Sequence, residues 1–255
     1  RRDAADLLAE AERTCTPVDA LTAAYPRIDV DDAYQIQLLQ IADKTAAGRT
    51  IRGHKVGLTS RVMQEMMEVT EPDYGHLLDD MFVMDASAMA IAELCVPRVE
   101  FEVAFVLGAP LPAPGCSVAD VLRATEFLLP AIEIIDSRQS DWKIKLADTI
   151  ADNASSARVV LGAHATAPVG VDLSTIGAVA RKNGDIVATG AAGAVLGNPA
   201  NAVAWLANKV HAYGVTLEAG HVILPGSCTR AIDVVAGDTV TCDFDVLGHV
   251  SVTFR

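Results

Sequence analysis

The sequence predicts an α+β protein with a mixed, strongly curved β-sheet that follows an N-terminal helical segment. Residues 1–50 follow helical periodicity, whereas the chain from Met81 onward is rich in strand patterns. The strands follow one another too closely for a regular series of strand–helix–strand units, which argues against a doubly wound sheet or a TIM barrel. We therefore expect a helical segment over residues 1–50 and one α+β domain over residues 51–255.

Local signals place the elements of the N-terminal part of the chain. Pro26 interrupts the helical pattern, and Asp29 is a suitable N-cap for a second helix. A strand is expected over residues 50–60 and a helix over 61–69. The stretch TEPDYGHLLDD, residues 70–80, is predicted to be a loop.

The rest of the chain is predicted to be mostly β-structure, with one late helix. Asn183 and Gly184 form a hairpin-turn signal because both tolerate positive φ angles. Asn198 is a good N-cap, Pro199 suits the first helical position, and the helix is expected to end at Gly214. The predicted strand regions are 81–85, 98–108, 127–136, 157–162, 178–190, 221–227, 239–248 and 250–254.

Composition excludes several classes of function. Hydrophobic residues make up 51% and charged residues 21%, as in a globular protein, and the net charge of −13 argues against a nucleic-acid or anionic membrane partner. No apolar run approaches the ~18–20 residues that span a bilayer, and the N-terminus lacks the apolar stretch of a signal peptide. The five cysteines are scattered without C-x-x-C spacing, so we expect free thiols and a cytoplasmic location.

The strand PRVEFEVAFVLG, residues 97–108, combines an apolar face with two carboxylates. The apolar face consists of Val99, Phe101, Val103, Phe105 and Leu107. Glu100 and Glu102 share the opposite face, with Cα atoms about 6.5 Å apart. Like charges that close repel each other unless a cation lies between them. The pair is therefore either a solvated outer face or part of a cation site.

A third carboxylate favours the cation site. Glu133 stands in the apolar stretch FLLPAIEIID, where an isolated ionised carboxylate is very costly and needs a partner. Three carboxylates on two β-segments would make an all-oxygen site that suits Mg²⁺ or Mn²⁺, with positions open for water or substrate. Zinc fits less well because no cysteine or histidine cluster accompanies the glutamates.

Two further stretches carry candidate acid–base groups. Lys55 lies in the extended, glycine-flanked stretch GHKVGLTS, where it is either a surface lysine or an active-site lysine. The loop over residues 70–80 contains Asp73 and Asp79, and is either an acidic surface loop or a lid that supplies acid–base groups and substrate contacts.

Two more stretches could contact a substrate. DTIADNASSARVVLG is rich in small polar residues before a strand, so it is either a pocket-shaping loop, with Ser155 as a substrate contact, or an ordinary turn. Arg230 in LPGSCTR could grip a carboxylate with two nitrogens, or it could be a surface arginine. Patterns for nucleotide binding and for a serine or cysteine nucleophile are lacking: we find no G-x-G-x-x-G, no Walker lysine and no G-x-S-x-G elbow.

Six stretches together resemble a known group of enzymes. They occur in the order seen in the 2-keto-4-pentenoate hydratase, 2-oxohept-4-ene-1,7-dioate hydratase and 4-oxalocrotonate decarboxylase group of the fumarylacetoacetate hydrolase superfamily, and the similarity runs from about Asp29 to Phe254. The stretches are GHKVGLTS, PDYGHLLDDM, PRVEFEVAFVL, PAIEIIDSR, DTIADNAS and NPANAVAWLANK. The resemblance implies the mixed β-roll of that superfamily with flanking helices, usually in a homo-oligomer.

The resemblance also implies roles for individual residues. The E-x-E of the group matches Glu100 and Glu102, and its third metal carboxylate matches Glu133, so these three would bind Mg²⁺ or Mn²⁺. The active-site lysine falls on Lys55 and the acidic residue of P-D-Y-G on Asp73. The His–Glu pair that activates water in the carbon–carbon bond hydrolases of the superfamily is not evident, which argues against simple hydrolysis.

Three functions remain open at this point. A hydratase would isomerise a 2-hydroxy-2,4-dienoate to a 2-oxo-enoate and add water at C4, giving a 4-hydroxy-2-oxo acid in the meta-cleavage breakdown of aromatic compounds. A decarboxylase acting on 4-oxalocrotonate would use the same metal but release CO₂, and a non-catalytic homologue would bind the metal alone. PDYGHLLDDM looks closer to the hydratases. GSCTR resembles the enzyme for a seven-carbon dioate, whereas SRQSDWKI and ADNAS resemble those for a five-carbon monoacid.

Overall fold

The computed structural model describes residues 1–66 and 69–255. The helices are α1 (Arg2–Thr14), α2 (Leu21–Ala24), α3 (Val30–Ala46), α4 (Arg61–Met66), α5 (Val118–Ala124), α6 (Leu146–Ala151) and α7 (Pro199–His211). The strands are β1 (Ile51–Gly57), β2 (Asp73–Leu78), β3 (Phe82–Met84), β4 (Ser87–Met89), β5 (Pro97–Leu107), β6 (Thr125–Asp136), β7 (Ser156–Leu161), β8 (Gly177–Lys182), β9 (Asp185–Ala191), β10 (Val222–Leu224), β11 (Ile232–Asp233), β12 (Thr239–Phe244) and β13 (Gly248–Phe254).

The strands form two mixed sheets. An eight-stranded sheet has the order β2-β1-β10-β5-β6-β7-β3, with β11 also paired to β5. A five-stranded sheet has the order β4-β13-β12-β8-β9. The pairs β1/β10, β3/β7 and β4/β13 are parallel and the remaining pairs are antiparallel, so the predicted α+β fold with a mixed sheet is confirmed.

One large apolar cluster joins the N-terminal helices to both sheets. Leu8 of α1 and Tyr34 of α3 belong to the same buried cluster as Phe101 of β5 and Phe254 of β13. Burying such large side chains contributes on the order of 1.5–3 kcal/mol each, which fixes the helical segment on the strand-rich part. Among the described helices, none has the length and apolar character needed to cross a bilayer.

Local capping chemistry produced the predicted helix starts and the hairpin. The Asp29 side chain accepts a hydrogen bond from the Asp32 amide at 2.8 Å, and Asn198 accepts one from the Ala200 amide at 2.9 Å. Asn183 and Gly184 have φ angles of 55° and 91°, and they connect β8 to β9. These three predictions are confirmed, because each depends only on neighbouring residues.

Three expectations require correction or restriction. The predicted loop over 70–80 contains the strand β2, which is buried along its whole length and pairs antiparallel with β1. The polar stretch after Leu146 begins with helix α6, whose first turn is capped when Asp148 accepts a hydrogen bond from the Lys145 amide at 2.8 Å. The helix predicted over 61–69 is observed as α4, and residues 67 and 68 lie outside the described part of the chain.

Candidate metal centre and active site

Three glutamates meet at the centre of the eight-stranded sheet. The register of β5 and β6 places Glu100 directly opposite Glu133, and Glu102 follows two residues later on the same face of β5. One carboxylate oxygen from each residue lies within 4.8 Å of the other two. Glu133 is 0% and Glu102 is 1% exposed, and Glu100 is half-buried. The structure therefore brings the predicted metal carboxylates together.

Only part of this carboxylate cluster is hydrogen-bonded. Ser156 Oγ donates to Glu133 Oε1 at 2.8 Å, and the Gly226 amide donates to Glu102 Oε2 at 2.7 Å. The second oxygens of these two residues, Glu102 Oε1 and Glu133 Oε2, are buried and have no hydrogen-bond partner among the described residues. Buried polar atoms without partners cost free energy, so these oxygens indicate a ligand.

The electrostatics of the cluster also fit a cation. Burial raises the pKa of Glu100 to about 7, and burial together with the charges of Glu133 and Glu100 raises the pKa of Glu102 well above its ordinary value. Three oxygen ligands at this spacing match a hard divalent cation, which would stabilise the ionised carboxylates. The residues present therefore fit Mg²⁺ or Mn²⁺, and the cluster holds no nitrogen or sulphur ligand that would favour zinc.

Lys55 lies beside this cluster on β1 and is 3% exposed. Its Nζ is 3.5 Å from Glu133 Oε2 and donates a hydrogen bond to the Ala154 carbonyl at 3.0 Å. Burial alone would lower the pKa of Lys55, but the carboxylates of Glu133 and Glu100 outweigh burial and raise it. Lys55 is therefore a buried ammonium group at the edge of the carboxylate cluster.

Asp73 begins β2 and lies opposite Gly57 in the register of β1 and β2. It is 2% exposed, and its Oδ1 has no hydrogen-bond partner among the residues the structure describes. A Cβ atom on Gly57 would come within 2.2 Å of this oxygen, so glycine leaves the space that the carboxylate occupies. Burial raises the pKa of Asp73, and Lys55 partly opposes that rise.

Lys55, Asp73 and Glu100 line one cavity of about 230 Å³. This volume is somewhat below the range of typical small-molecule pockets, so the cavity suits a small substrate. The other lining residues are Gly57, Leu58, Arg98, Ile135, Trp142, Ile144, Thr149, Ala154, Ser155 and Ala231. The cavity thus combines charged groups at the carboxylate cluster with apolar side chains on its walls.

A strained turn forms one wall of the cavity. Asn153, Ala154 and Ser155 have φ angles of 52°, 50° and 57°, a conformation that costs non-glycine residues about 1–3 kcal/mol each. The Asn153 side chain holds the turn: it accepts a hydrogen bond from the His76 amide at 2.7 Å and donates one to the His76 carbonyl at 2.9 Å. The turn thereby presents the Ala154 carbonyl to Lys55 and places Ser155 in the cavity wall.

Two of the candidate substrate contacts lie elsewhere. Arg230 is exposed and does not line the cavity, whereas its neighbour Ala231 does. Asp79 follows β2 in a short 3₁₀ turn, where its Oδ2 accepts a hydrogen bond from Thr50 at 3.0 Å. Because β2 is a strand and not a lid, Asp79 is about 20 Å along the chain from Asp73. The structure therefore places neither Arg230 nor Asp79 in the lining of the cavity.

Sequence reasoning missed Arg98 and Trp142 as cavity residues. The guanidinium of Arg98 lies over the Trp142 ring, 4.6 Å from its centroid. Arg98 precedes Glu100 by two residues, so the same alternation that paired Glu100 with Glu102 also places Arg98 on this face. Trp142 sits in the 3₁₀ turn Ser140–Trp142 and had no comparable signal, because only the tertiary structure brings that turn to the cavity.

Comparisons with known proteins identify the family of this chain. Residues 47–255 match the fumarylacetoacetate (FAA) hydrolase C-terminal family. The chain is 45% identical to 2-oxo-hept-4-ene-1,7-dioate hydratase of Escherichia coli, over 98% of this chain and 96% of that protein. It is 41% identical to 2-keto-4-pentenoate hydratase of Paraburkholderia xenovorans, over 100% of this chain and 95% of that protein.

A solved structure is similar over the entire chain. The 4-oxalocrotonate decarboxylase from Pseudomonas putida G7, complexed with magnesium and adipate, has a TM-score of 0.95 and 37% identity, covering 100% of this chain and 98% of that one. The chain belongs to the fumarylacetoacetate hydrolase family. The fold predicted from the resemblance is therefore confirmed.

Proposed function

We propose that this protein is a Mg²⁺- or Mn²⁺-dependent hydratase. It adds water to a 2-hydroxy-2,4-dienoate, through the 2-oxo-4-enoate, to give a 4-hydroxy-2-oxo acid in the meta-cleavage breakdown of aromatic compounds. The observation that carries the proposal is that three carboxylates meet at one point of the sheet, and that one of them, Glu100, lines a small cavity together with Lys55 and Asp73. Relatives at 45% and 41% identity that are named hydratases support the same reaction class.

Glu100, Glu102 and Glu133 are the residues that would hold the cation. Their facing oxygens lie within 4.8 Å of one another, and two of the oxygens are buried without hydrogen-bond partners among the described residues. When bound, the cation supplies Lewis-acid stabilisation of negative charge on the carboxylate and 2-oxo oxygens of the substrate. A relative whose structure contains magnesium supports this assignment.

Lys55 and Asp73 are the proton-transfer pair. Asp73 Oδ1 is buried and has no hydrogen-bond partner in the described structure, so it can accept a hydrogen bond from the attacking water. Lys55 Nζ has three protons, of which one goes to the Ala154 carbonyl, so it can deliver another to a substrate carbon. The Asn153–Ser155 turn positions Lys55, and Ser155 is the proposed neutral contact to substrate.

The walls of the cavity suit the hydrocarbon part of a dienoate. Ile135, Ile144 and Trp142 line the cavity beside the charged groups. Apolar walls exclude water other than the reacting molecule, and they strengthen the electrostatic contacts at the carboxylate cluster. These residues all lie within 51–255, which we propose as the catalytic domain, with residues 1–50 as a helical segment packed against it.

A decarboxylase is the second candidate. The observation that favours it is the TM-score of 0.95 to a protein named 4-oxalocrotonate decarboxylase. The same carboxylates and the same lysine could serve a reaction that loses CO₂ and then protonates carbon. A homologue that binds metal without catalysis is disfavoured, because Lys55 and Asp73 remain beside the carboxylates and line the same cavity.

One assay tests these functions together. The purified protein with Mg²⁺ is given 2-hydroxypenta-2,4-dienoate, 2-oxohept-4-ene-1,7-dioate and 4-oxalocrotonate, while the dienol absorbance, the 4-hydroxy-2-oxo product and CO₂ are followed. We expect the first two substrates to be consumed without CO₂ release. Release of CO₂ at a faster rate than hydration would establish the decarboxylase, and no turnover of any substrate would contradict both enzymatic functions.

We further propose a homo-oligomer that acts in the cytoplasm and has no nucleic-acid partner. Partly buried apolar side chains flank the smaller apolar cluster of the eight-stranded sheet, where an interface between copies would bury them further. These side chains are Ile51, Phe82, Val106, Phe127 and Leu161. Light scattering on the purified protein measures the oligomeric mass.

The cysteines support the proposed cytoplasmic location. All five are free, as suits a reducing compartment.

A further inference from the structure

The cavity has a second charged position, one step along β5 from the carboxylate cluster. The register pairs Glu100 with Glu133 and Arg98 with Ile135, so Arg98 occupies the next position on the cavity face. Successive positions on one face of a strand are about 6.5 Å apart. Glu100, Arg98 and Ile135 all line the cavity, so a carboxylate of the cluster and a guanidinium occupy successive positions on its wall.

The structure holds the Arg98 side chain in place without using all its donors. Its guanidinium lies 4.6 Å above the centroid of the Trp142 ring, and the Trp142 indole is itself fixed by a 2.9 Å hydrogen bond to the Val96 carbonyl. Arg98 Nε donates to Asp233 at 2.7 Å. Within the described residues, its two terminal nitrogens have no hydrogen-bond acceptor, and its side chain is 34% exposed.

We propose that Arg98 binds the remote carboxylate of a dicarboxylic substrate and makes the enzyme selective for dioates over monoacids. The inference rests on the proposed hydratase function. One carboxylate and the 2-oxo group of the substrate would lie at Glu100 and its partners, and the carbon chain would run along Ile135. A planar guanidinium with two unused nitrogens matches the two oxygens of a carboxylate. A monoacid has no second carboxylate for Arg98 to bind.

The neighbouring charges are compatible with this role. Asp233 is 81% exposed, and ion pairs between exposed side chains are weak. Its carboxylate accepts a hydrogen bond from Nε of Arg98 and leaves the two terminal nitrogens available. Arg230, the arginine that the sequence suggested for the same task, is exposed and lies outside the cavity lining. Arg98 is thus the arginine that lines the cavity.

The test compares two substrates in two variants. For Arg98→Gln we expect kcat/KM for 2-oxohept-4-ene-1,7-dioate to fall about 10- to 100-fold, mainly through KM, because a charge-assisted contact to a non-reacting group is lost. For 2-hydroxypenta-2,4-dienoate the change should stay within about twofold. Arg230→Gln is the matched control and should affect neither substrate. A wild-type preference for the monoacid, or an equal loss for both substrates in Arg98→Gln, would overturn the proposal.

A second variant decides the matter if Arg98→Gln does not fold. Asp233→Asn keeps an oxygen that can accept the hydrogen bond from Arg98 Nε, and it removes the competing negative charge. We expect kcat/KM for the dioate to rise about two- to fivefold, in line with the small energy of an exposed ion pair, and the monoacid to be unaffected. An unchanged or lower value for the dioate in Asp233→Asn would contradict a substrate carboxylate at Arg98.

Calorimetry with non-reacting probes separates this inference from the proposed reaction. Adipate and hexanoate are titrated into the Mg²⁺-loaded protein, because they differ only in the second carboxylate. Arg98→Gln should weaken adipate binding about 10- to 100-fold and leave hexanoate binding within about twofold. If no dienoate is hydrated but this difference appears, the proposed hydratase function is wrong and the role of Arg98 stands. If the two probes respond alike, the role of Arg98 is wrong.

Discussion

The two sheets of this protein differ in whether their charged side chains are buried or exposed. In the five-stranded sheet, each buried residue of the strands is apolar, and charged side chains such as Arg181 and Asp243 pair with each other at the surface. In the eight-stranded sheet, five charged residues are buried. They are Lys55, Asp73, Glu102 and Glu133, and a fifth, Asp136, lies at the end of β6, where the Cys95 and Val96 amides donate hydrogen bonds to it.

The difference shows which sheet serves stability and which serves function. Burying an ionised group costs several kcal/mol unless partners compensate. The five-stranded sheet avoids that cost by alternation, with Val240, Cys242 and Phe244 inward and the intervening residues toward solvent. The eight-stranded sheet buries ionisable groups at the carboxylate cluster. There a bound cation and a bound substrate can offset the desolvation cost. Four comparisons between the sheets test this view.

The largest effect is expected from the metal carboxylates. Glu102→Gln should lower kcat/KM at least about 10³-fold, because a ligand to the cation is lost. With EDTA present, its free energy of unfolding should equal or exceed that of the wild type, since a buried carboxylate between like charges is removed. EDTA should also abolish wild-type activity, and Mg²⁺ or Mn²⁺ should restore it.

Asp243→Asn in the five-stranded sheet is the control for Glu102→Gln. It breaks exposed pairs with Arg181 and His249, so activity should not change and stability should fall by about 1 kcal/mol or less. Full activity of Glu102→Gln, or of the wild type after exhaustive chelation, would contradict the metal site.

The proton-transfer pair should give the next largest effect. Lys55→Met and Asp73→Asn should each lower kcat about 10²–10⁴-fold while Mg²⁺ affinity stays within a few-fold, because neither residue belongs to the carboxylate cluster. The double variant should be little slower than the slower single one, since the two residues act as a unit. Lys182→Met in the five-stranded sheet should have wild-type kinetics. A rise in KM with unchanged kcat would mean that the substituted residue binds substrate only.

A smaller effect on kcat is expected when one methyl group is added at Gly57, beside Asp73. Gly57→Ala would place a Cβ 2.2 Å from Asp73 Oδ1, so the carboxylate must move. We expect kcat to fall about 10- to 100-fold, as for a displacement of about 1 Å. Gly177→Ala in the five-stranded sheet has no heavy atom within 4 Å of the added Cβ and should leave kcat unchanged. Equal kinetics of the two variants would show that the position of Asp73 is unimportant.

The smallest effect on activity is expected from two buried histidines of the eight-stranded sheet, whose titration acts on stability instead. Burial lowers the pKa of His76 to about 4 and that of His54 well below its ordinary value of 6.5. The unfolded chain binds these protons below pH 6.5 and the folded protein does not, so the free energy of unfolding should fall as the pH falls from 6.5 towards 4. Each histidine accounts for about 1.4 kcal/mol per pH unit.

Substitution of one of these histidines should flatten that dependence. His54→Phe should reduce the slope of unfolding free energy against pH by about one proton below pH 6. Val250→Ala in the five-stranded sheet removes no titratable group, so it should lower the free energy of unfolding equally at each pH and leave the slope unchanged. Chemical denaturation at several pH values measures both, and identical slopes for wild type and His54→Phe would show that His54 does not titrate on unfolding.

Several features of the fold and site were accessible from sequence because their causes are local. The alternation along β5 puts Glu100 and Glu102 on one face whatever strand lies alongside. The N-caps Asp29 and Asn198 act on amides two or three residues away. Glu133 could also be identified as a candidate ligand from sequence alone, because an ionised carboxylate within an apolar strand requires a compensating partner.

Other features depended on contacts that no local pattern contains. β2 is buried on both faces, so it lacks alternation, and its glycine and aspartate resemble a loop until β1 pairs with it. The left-handed turn at Asn153–Ser155 exists because Asn153 bonds to His76, far away in the chain. Arg98 lies on the same face of β5 as the two glutamates, which the alternation predicts. That this face borders a cavity at Arg98 depends on Trp142, whose ring packs against the guanidinium.

The sequence by itself determined most of the strands, the helix starts at Asp29 and Asn198 and the three carboxylates, because periodicity, capping and the cost of buried charge act over a few residues. Only the tertiary structure decided that Lys55 and Asp73 lie together at those carboxylates, and that Arg98 lines the cavity whereas Arg230 and Asp79 do not. The physical reason is that a site is made where distant segments pack, and the register and direction of that packing depend on the whole core.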